Sequence, residues 1–360
     1  MRPPFRRNLQ PFSRSRRHPG IQIAALLTAL GHATVLVAAA AAATPPIGTS
    51  AQLEDRYPER RVAFPQGVTS LADVTYSVPS GFRPLTLDLY LPPRHAAAAP
   101  AIVYVHGGGW IGGHARHCGA FENWPRVLAS FAARGYVVAS VNYRLSGEAA
   151  SPAAANDIAA ALRWLRANAS RYSIDKQRIG IWGVSAGGQL AAITGTVCAA
   201  SDRADAESAC VQAVATWYGI FDLAPLVADA NPAAPPVRYL GCASGVCSEE
   251  QIRLASAIRH VDSSDPPFLL IHGTRDQTVP VAQSRDFHAA LESHGVKSRL
   301  LLIEDVDHSF IGATPEATRV ASLRALRATR DFFDCTLFPD RQSANAAGDC
   351  EGNISVTKPH

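Results

Sequence analysis

Short apolar runs recur along this chain at nearly regular intervals, and this constrains its fold more than any other feature. The runs lie at 101–105, 136–141, 178–183, 211–217, 268–271 and 298–303. They are continuous rather than alternating, as expected of strands buried on both faces. Between them lie helix-competent stretches at 157–168, 187–197, 281–293 and 315–332. In the first of these Ile158, Leu162 and Leu165 recur at helical spacing, while Arg163 and Arg166 face elsewhere. Strands alternating with helices predict an α/β fold, with a mostly parallel central sheet covered by helices on both faces. Two alternating segments come first, at 74–78 and 85–90, joined by a turn at Gly81. We read one globular domain over residues 68–338, preceded by an irregular, Pro-containing linker at 44–67 and followed by a polar tail at 339–360. The Pro- and Ala-rich segment 221–267 reads as a small insertion with little or no cap.

The charge balance is set by the amino terminus. The chain carries 34 basic and 30 acidic residues, a net charge of +4. Six arginines (Arg2, Arg6, Arg7, Arg14, Arg16 and Arg17) and no acid lie within residues 1–43; without them 28 basic residues face 30 acidic ones. The remainder therefore has no nucleic-acid footprint. Residues 21–43 are apolar and Ala-rich and end in Ala41-Ala42-Ala43 before Thr44-Pro45-Pro46. This pattern describes a secretory signal, or an uncleaved membrane anchor over 21–43, and predicts a periplasmic or secreted protein. Seven cysteines agree with an oxidising compartment. Proximity in sequence suggests the pairs Cys198–Cys210, Cys242–Cys247 and Cys335–Cys350, with Cys118 unpaired as a small buried hydrophobe. No CxxC pair occurs and the histidines do not cluster with cysteines, so neither a metal nor a cofactor is expected.

Three loops carry the candidate chemistry. Gly183-Val184-Ser185-Ala186-Gly187 joins an apolar strand to a helix. Glycines two before and two after Ser185 permit a sharp turn that exposes the serine as a nucleophile. His106-Gly107-Gly108-Gly109-Trp110 also follows a strand, and its backbone can approach a substrate without hindrance. We assign the N–H groups of Gly108, Gly109 and Ala186 to an oxyanion hole, with Trp110 N–H as a possible substitute. His106 itself reads as structural, bonded to backbone. Asp276 lies just beyond the strand at 268–271 and His308 just beyond the strand at 298–303. The chain order Ser185, Asp276, His308 suits a nucleophile, an orienting acid and a general base. Asp222 is an alternative acid; His272 and His294 are alternative bases that read better as structural or exposed. Asp305 and Asp307 are too near His308 in sequence to reach its ring. Trp110, Trp217, Tyr218 and Val279 are candidate substrate contacts, Trp217 and Tyr218 being equally readable as core aromatics.

HGGGW at 106–110, GVSAGG at 183–188, HGTRDQTVP at 272–280 and DHSF at 307–310 resemble the esterase group of α/β-hydrolases. That group includes hormone-sensitive-lipase-like carboxylesterases and, closer, bacterial feruloyl and acetylxylan esterases. The likeness also takes in LDLYLP at 87–92 and VNYRLS at 141–146. It implies the same triad, the Gly-rich loop as oxyanion hole, and hydrolysis of short-chain, aromatic or carbohydrate esters through an acyl-enzyme. The basic leader and the cysteines depart from cytosolic relatives. An amidase, arylformamidase-like or peptidase activity of the same triad is the alternative, and a non-catalytic binding protein a third reading. The expected partner is a small or polymeric ester; contact with a membrane is expected only through an uncleaved leader.

Overall fold

The computed structural model describes residues 60–93, 97–198, 208–229 and 231–338. In chain order the elements are β1 (Arg60–Ala63), β2 (Thr69–Ser77), β3 (Leu85–Leu91), β4 (Ala99–Val105), α1 (Trp124–Ala133), β5 (Val137–Val141), α2 (Ala153–Ala167) and α3 (Ala169–Tyr172). There follow β6 (Ile174–Val184), α4 (Ala186–Thr196), β7 (Ala213–Trp217), α5 (Pro235–Leu240), α6 (Glu249–Ala255), β8 (Phe268–Gly273), α7 (Ala282–Ser293), β9 (Ser298–Ile303) and α8 (Pro315–Leu337). One sheet has the order β1-β2-β3-β5-β4-β6-β7-β8-β9. The pairs from β1 to β3, and β3 with β5, are antiparallel, and the remaining pairs are parallel. This is the α/β-hydrolase arrangement.

The continuous apolar runs send alternate side chains to two cores. Val103, Val105, Ile181, Val214 and Leu270 pack with Ile158, Leu162, Leu190 and Phe287 of α2, α4 and α7. Ile102, Tyr104, Trp182, Ala215 and Leu269 pack with Leu128, Phe131, Ala325 and Phe333 of α1 and α8. Helix α4 is buried at every residue, and a Cβ at Gly187, Gly188 or Gly195 would lie within 3 Å of neighbouring atoms, which explains its glycines.

The structure begins earlier and contains more helix than the sequence pattern indicates. Strand β1 falls inside the segment 44–67 read as linker; all four of its residues are exposed, so no burial pattern marks it. Helix α1 has no counterpart in the sequence pattern, although Asn123 caps it by accepting from Arg126 N–H and Pro125 opens it. The insertion 221–267 holds α5 and α6, the latter started by a Ser248–Gln251 capping box. Disulfides join Cys198 to Cys210 and Cys242 to Cys247, as expected. Among the described residues Cys118 is free and buried. The pairing proposed for Cys335 involves Cys350, which lies outside the described residues, as do the leader 1–43 and the tail 339–360.

A buried ion pair anchors the loop after β5 to α2. The Arg144 guanidinium donates to Asp157 Oδ1 at 2.6 Å and Oδ2 at 2.9 Å, while Arg144 N–H donates to Oδ2 at 2.9 Å. Only 3% of the Asp157 side chain is exposed. Removing the cation leaves an uncompensated buried carboxylate, so Arg144→Met is expected to cost about 3 kcal/mol in a urea titration. A loss within the error of the measurement would contradict this account.

Candidate active site

The parallel register aligns the strand ends that carry the candidate residues. Val105 pairs with Gly183, Val184 with Trp217, Trp217 with Ile271, and Gly273 with Ile303. The loops after β4, β6, β7, β8 and β9 therefore leave the sheet along one carboxyl edge, where open α/β sheets bind ligands.

Ser185 stands between β6 and α4 at φ +53°, ψ −122°. That backbone conformation is rare for an L-residue and costs on the order of 1–3 kcal/mol. Its neighbours show why glycines flank it. A Cβ on Gly183 would lie 2.0 Å from the Gly187 carbonyl oxygen, and one on Gly187 would lie 2.2 Å from the Val105 carbonyl oxygen. Strand, elbow and helix thus touch backbone to backbone. Ser185 N–H donates to the Trp217 carbonyl at 2.9 Å, which fixes the elbow to β7.

His308 Nε2 lies 3.0 Å from Ser185 Oγ, and His308 Nδ1 lies 2.8 Å from Asp276 Oδ2. Three groups distant in sequence form one hydrogen-bond chain. The side chain of Asp276 has no exposed surface, yet it is fully engaged. Its Oδ1 accepts from the N–H groups of Thr278 and Val279 at 2.9 and 2.8 Å, and its Oδ2 also faces His272 Nε2 at 3.2 Å. Burial alone would raise its pKa, but the hydrogen bonds from His272, His308 and Val279 outweigh burial and hold it well below the usual carboxylate range. His272 is no alternative base: it is fully buried, with Nδ1 2.7 Å from Ser284 Oγ and Nε2 2.9 Å from the Val279 carbonyl. Asp222, the alternative acid, is turned elsewhere and accepts from Ala224 N–H at 3.0 Å. Asp305 is exposed and pairs with Arg275.

Asp307 has a role that sequence did not reveal. Its Oδ1 accepts from His308 N–H at 2.6 Å and from Gln277 N–H at 2.9 Å, so it ties the base loop to the acid loop. Adjacent carboxylate and imidazole residues signal this only once the loops are known to meet. Tyr218 is a second such residue. Its ring lies 4.6 Å from that of His308, and its buried hydroxyl contacts Ser309 and Cys118. Desolvation first, with hydrogen bonds from Tyr104 and Tyr218 opposing it, pushes the Cys118 thiol up to about 12, so this cysteine is no thiolate nucleophile.

The Gly-rich loop assigned to the oxyanion hole continues from β4 through Gly107. Gly108 and Gly109 sit at φ +113° and +60°, and a Cβ on Gly108 would lie 2.3 Å from the Gly112 carbonyl oxygen. His106 is structural, as expected: it is stacked on Tyr143 at 4.4 Å and bonded to the Gly107 carbonyl at 2.7 Å, and burial lowers its pKa to about 4. Gly108, Gly109, Trp110, Tyr218 and Val279 line a cavity of about 890 Å³ with Ser185 and His308. Pro235 and Pro236 of α5 form part of its wall, so the insertion shapes the pocket. Trp217 does not reach it. Its indole donates to Thr329 at 2.8 Å inside the α8-side core, which decides between the two readings of that residue.

The sheet and the Ser–His–Asp contact at its edge define a protein of the α/β-hydrolase fold, and its relatives make it a carboxylic ester hydrolase. The chain belongs to the BD-FAE family, whose sequence profile matches residues 87–291. It is 31% identical over 312 residues to esterase LipQ of Mycobacterium tuberculosis, covering 84% of this chain and 68% of that protein. Esterase LipC of the same organism is 31% identical over 52% of this chain and 47% of its own length. Among solved structures, a truncated carbohydrate esterase from gut microbiota superposes with a TM-score of 0.61 at 27% identity, covering 75% of this chain and 96% of that one. Esterase 2 of Thermogutta terrifontis, phosphorylated by paraoxon, gives 0.57 at 26% identity over 72% and 92%.

The depressed Asp276 pKa has a stability consequence. Its contribution is complete above the unfolded carboxylate value near pH 4 and is lost as pH falls through the lower folded value. Wild type is therefore expected to lose stability more steeply below about pH 4 than Asp276→Asn. Parallel acid limbs in urea midpoints of the two proteins would contradict it.

Proposed function

We propose that this chain hydrolyses carboxylic esters through an acyl-enzyme on Ser185, with His308 as general base and Asp276 as its orienting acid. The observation that carries the reading is the unbroken contact from Asp276 Oδ2 through the His308 ring to Ser185 Oγ, at 2.8 and 3.0 Å. Ser185 Oγ attacks the carbonyl carbon while its proton passes to His308 Nε2. Asp276 accepts a hydrogen bond from Nδ1–H, keeps the proton on the ring and stabilises the imidazolium. Negative charge moves to the carbonyl oxygen, and the N–H groups of Gly108, Gly109 and Ala186 are assigned to receive it. Collapse expels the alcohol, which takes its proton from Nε2. Water, activated by the same imidazole, then releases the acid and restores Ser185.

The cavity supports short-chain, aromatic or carbohydrate esters as substrates: Ile220, Leu226, Pro235, Pro236 and Val279 provide apolar surface beside His117, Thr278 and Ser309. The carbohydrate esterase among the structural neighbours favours the last class. We also propose that residues 1–43 direct export to the periplasm or beyond. Two disulfides support an oxidising compartment, and no helix among the described residues is long and apolar enough to cross a membrane. Since the basic excess lies in residues 1–43, nucleic acid is not a proposed partner.

Ser185→Ala is expected to lower kcat/KM for p-nitrophenyl acetate by at least about 10³-fold. A panel of acetylated xylan, methyl ferulate and matched anilides then ranks substrates. Retained turnover in the variant would end the assignment, and anilide hydrolysis exceeding that of the esters would replace it with an amidase.

A further inference from the structure

Trp110 ends the oxyanion loop in an unusual state. It is 1% exposed and sits at φ +58°, a region that L side chains rarely adopt. Three sets of contacts hold it there. Its carbonyl accepts from Ser146 N–H at 2.8 Å and from Ser146 Oγ at 3.1 Å. Its indole stacks on Tyr239 of α5, with centroids 4.5 Å apart and planes 11° apart. Its Nε1–H donates to Gln189 Oε1 at 3.1 Å.

Gln189 has no exposed surface and lies one turn beyond Ser185 on α4, its N–H donating to the Ser185 carbonyl at 3.2 Å. Its Nε2 donates to the carbonyl of Ala255, at the end of α6, at 2.8 Å. One amide therefore spans the nucleophile helix, the oxyanion loop and the insertion. We propose that Gln189 is a positioning residue for the oxyanion hole, acting through Trp110. This inference rests on the reading of Ser185 and of the hole given above. Two of the assigned donors, on Gly108 and Gly109, belong to the loop, and the third, on Ala186, belongs to α4. Their separation must match an oxygen whose charge appears only in the transition state, and hydrogen bonds to that charge depend steeply on distance. Beyond the backbone contact at the elbow, the Gln189 amide is a buried side chain that ties the two donor sets together. A primary amide has the chemistry such a bridge needs. It is neutral, it accepts from the indole and it donates to a carbonyl, and Asn would be a methylene too short to do both.

The test compares Gln189→Leu, Trp110→Phe and the double variant, with each rate expressed per active site titrated by paraoxon. Misfolded protein then drops out of the comparison. Gln189→Leu is expected to lower kcat about 10- to 100-fold with little change in KM. A trifluoromethyl ketone, which becomes an oxyanion adduct on the serine, should bind more weakly by the same factor. Trp110→Phe keeps an aromatic ring to stack but loses the indole N–H, and should move both quantities in the same direction. The double variant should fall no more than about twofold below the worse single one, as expected for residues acting as a unit. A Gln189→Leu enzyme with per-site kcat and ketone affinity within twofold of wild type would overturn the proposal, as would losses that multiply in the double variant. Failure of the nucleophile assignment would look different: Ser185→Ala would keep its turnover, wild type would take up no phosphoryl group at Ser185, and both assignments would go together.

Discussion

Backbone meets backbone at the turn from β6 into α4, and the rest of the site depends on that contact. The positions of Gly183 and Gly187 have carbonyl oxygens where any other residue would have a Cβ, at 2.0 and 2.2 Å. Because no side chain intervenes, the helix starts directly against β4, and Ser185 is thrown forward with a positive φ. The strain of that conformation is held by surroundings that leave no slack: α4 is buried along its whole length and the Ser185 N–H is bonded to β7. A serine held in this way needs no conformational search before reaction, and ordering that costs entropy at folding is not required again at each turnover.

Electrostatics completes what sterics begins. Among the described residues no Lys or Arg reaches the buried Asp276 oxygens, and two N–H groups and two imidazoles surround the carboxylate instead. A buried carboxylate satisfied by N–H donors is a firm acceptor for His308 Nδ1–H, and this fixes which ring nitrogen faces Ser185. Asp307 and Tyr218 support His308 from the other sides, one through backbone hydrogen bonds and one through ring packing. The insertion between β7 and β8 contributes to the same rigidity, since α5 lines the cavity and carries the ring on which Trp110 stacks. It is better described as a wall of the site than as a cap.

Much of the fold is legible in the chain, because parallel strands buried on both faces must be apolar throughout and the glycines of the elbow have no substitute. The six apolar runs match β4 to β9, and the two alternating segments match β2 and β3. Where the pattern failed, the elements lack such constraints. Strand β1 is exposed at every residue and carries no apolar signature. Helix α1 shows its caps only when one looks for them, and α5 and α6 are too short for a period to register. Trp217 could not be assigned from sequence because a large aromatic at a strand's end points to either face, and one residue of register decides which.

The linear chain by itself determined the kind of sheet, the residue that must stand at the sharp turn, and the order in which serine, acid and base occur. Those are local matters of periodicity, steric room and reactive side chains. Which carboxylate meets the imidazole was decided in three dimensions, as was the loss of Asp222 to another loop and the bridging of three segments by Gln189. The physical reason is that hydrogen bonds act over about 3 Å of space irrespective of sequence separation. Residues 123 positions apart come within that reach only when the strands beneath them align at one edge.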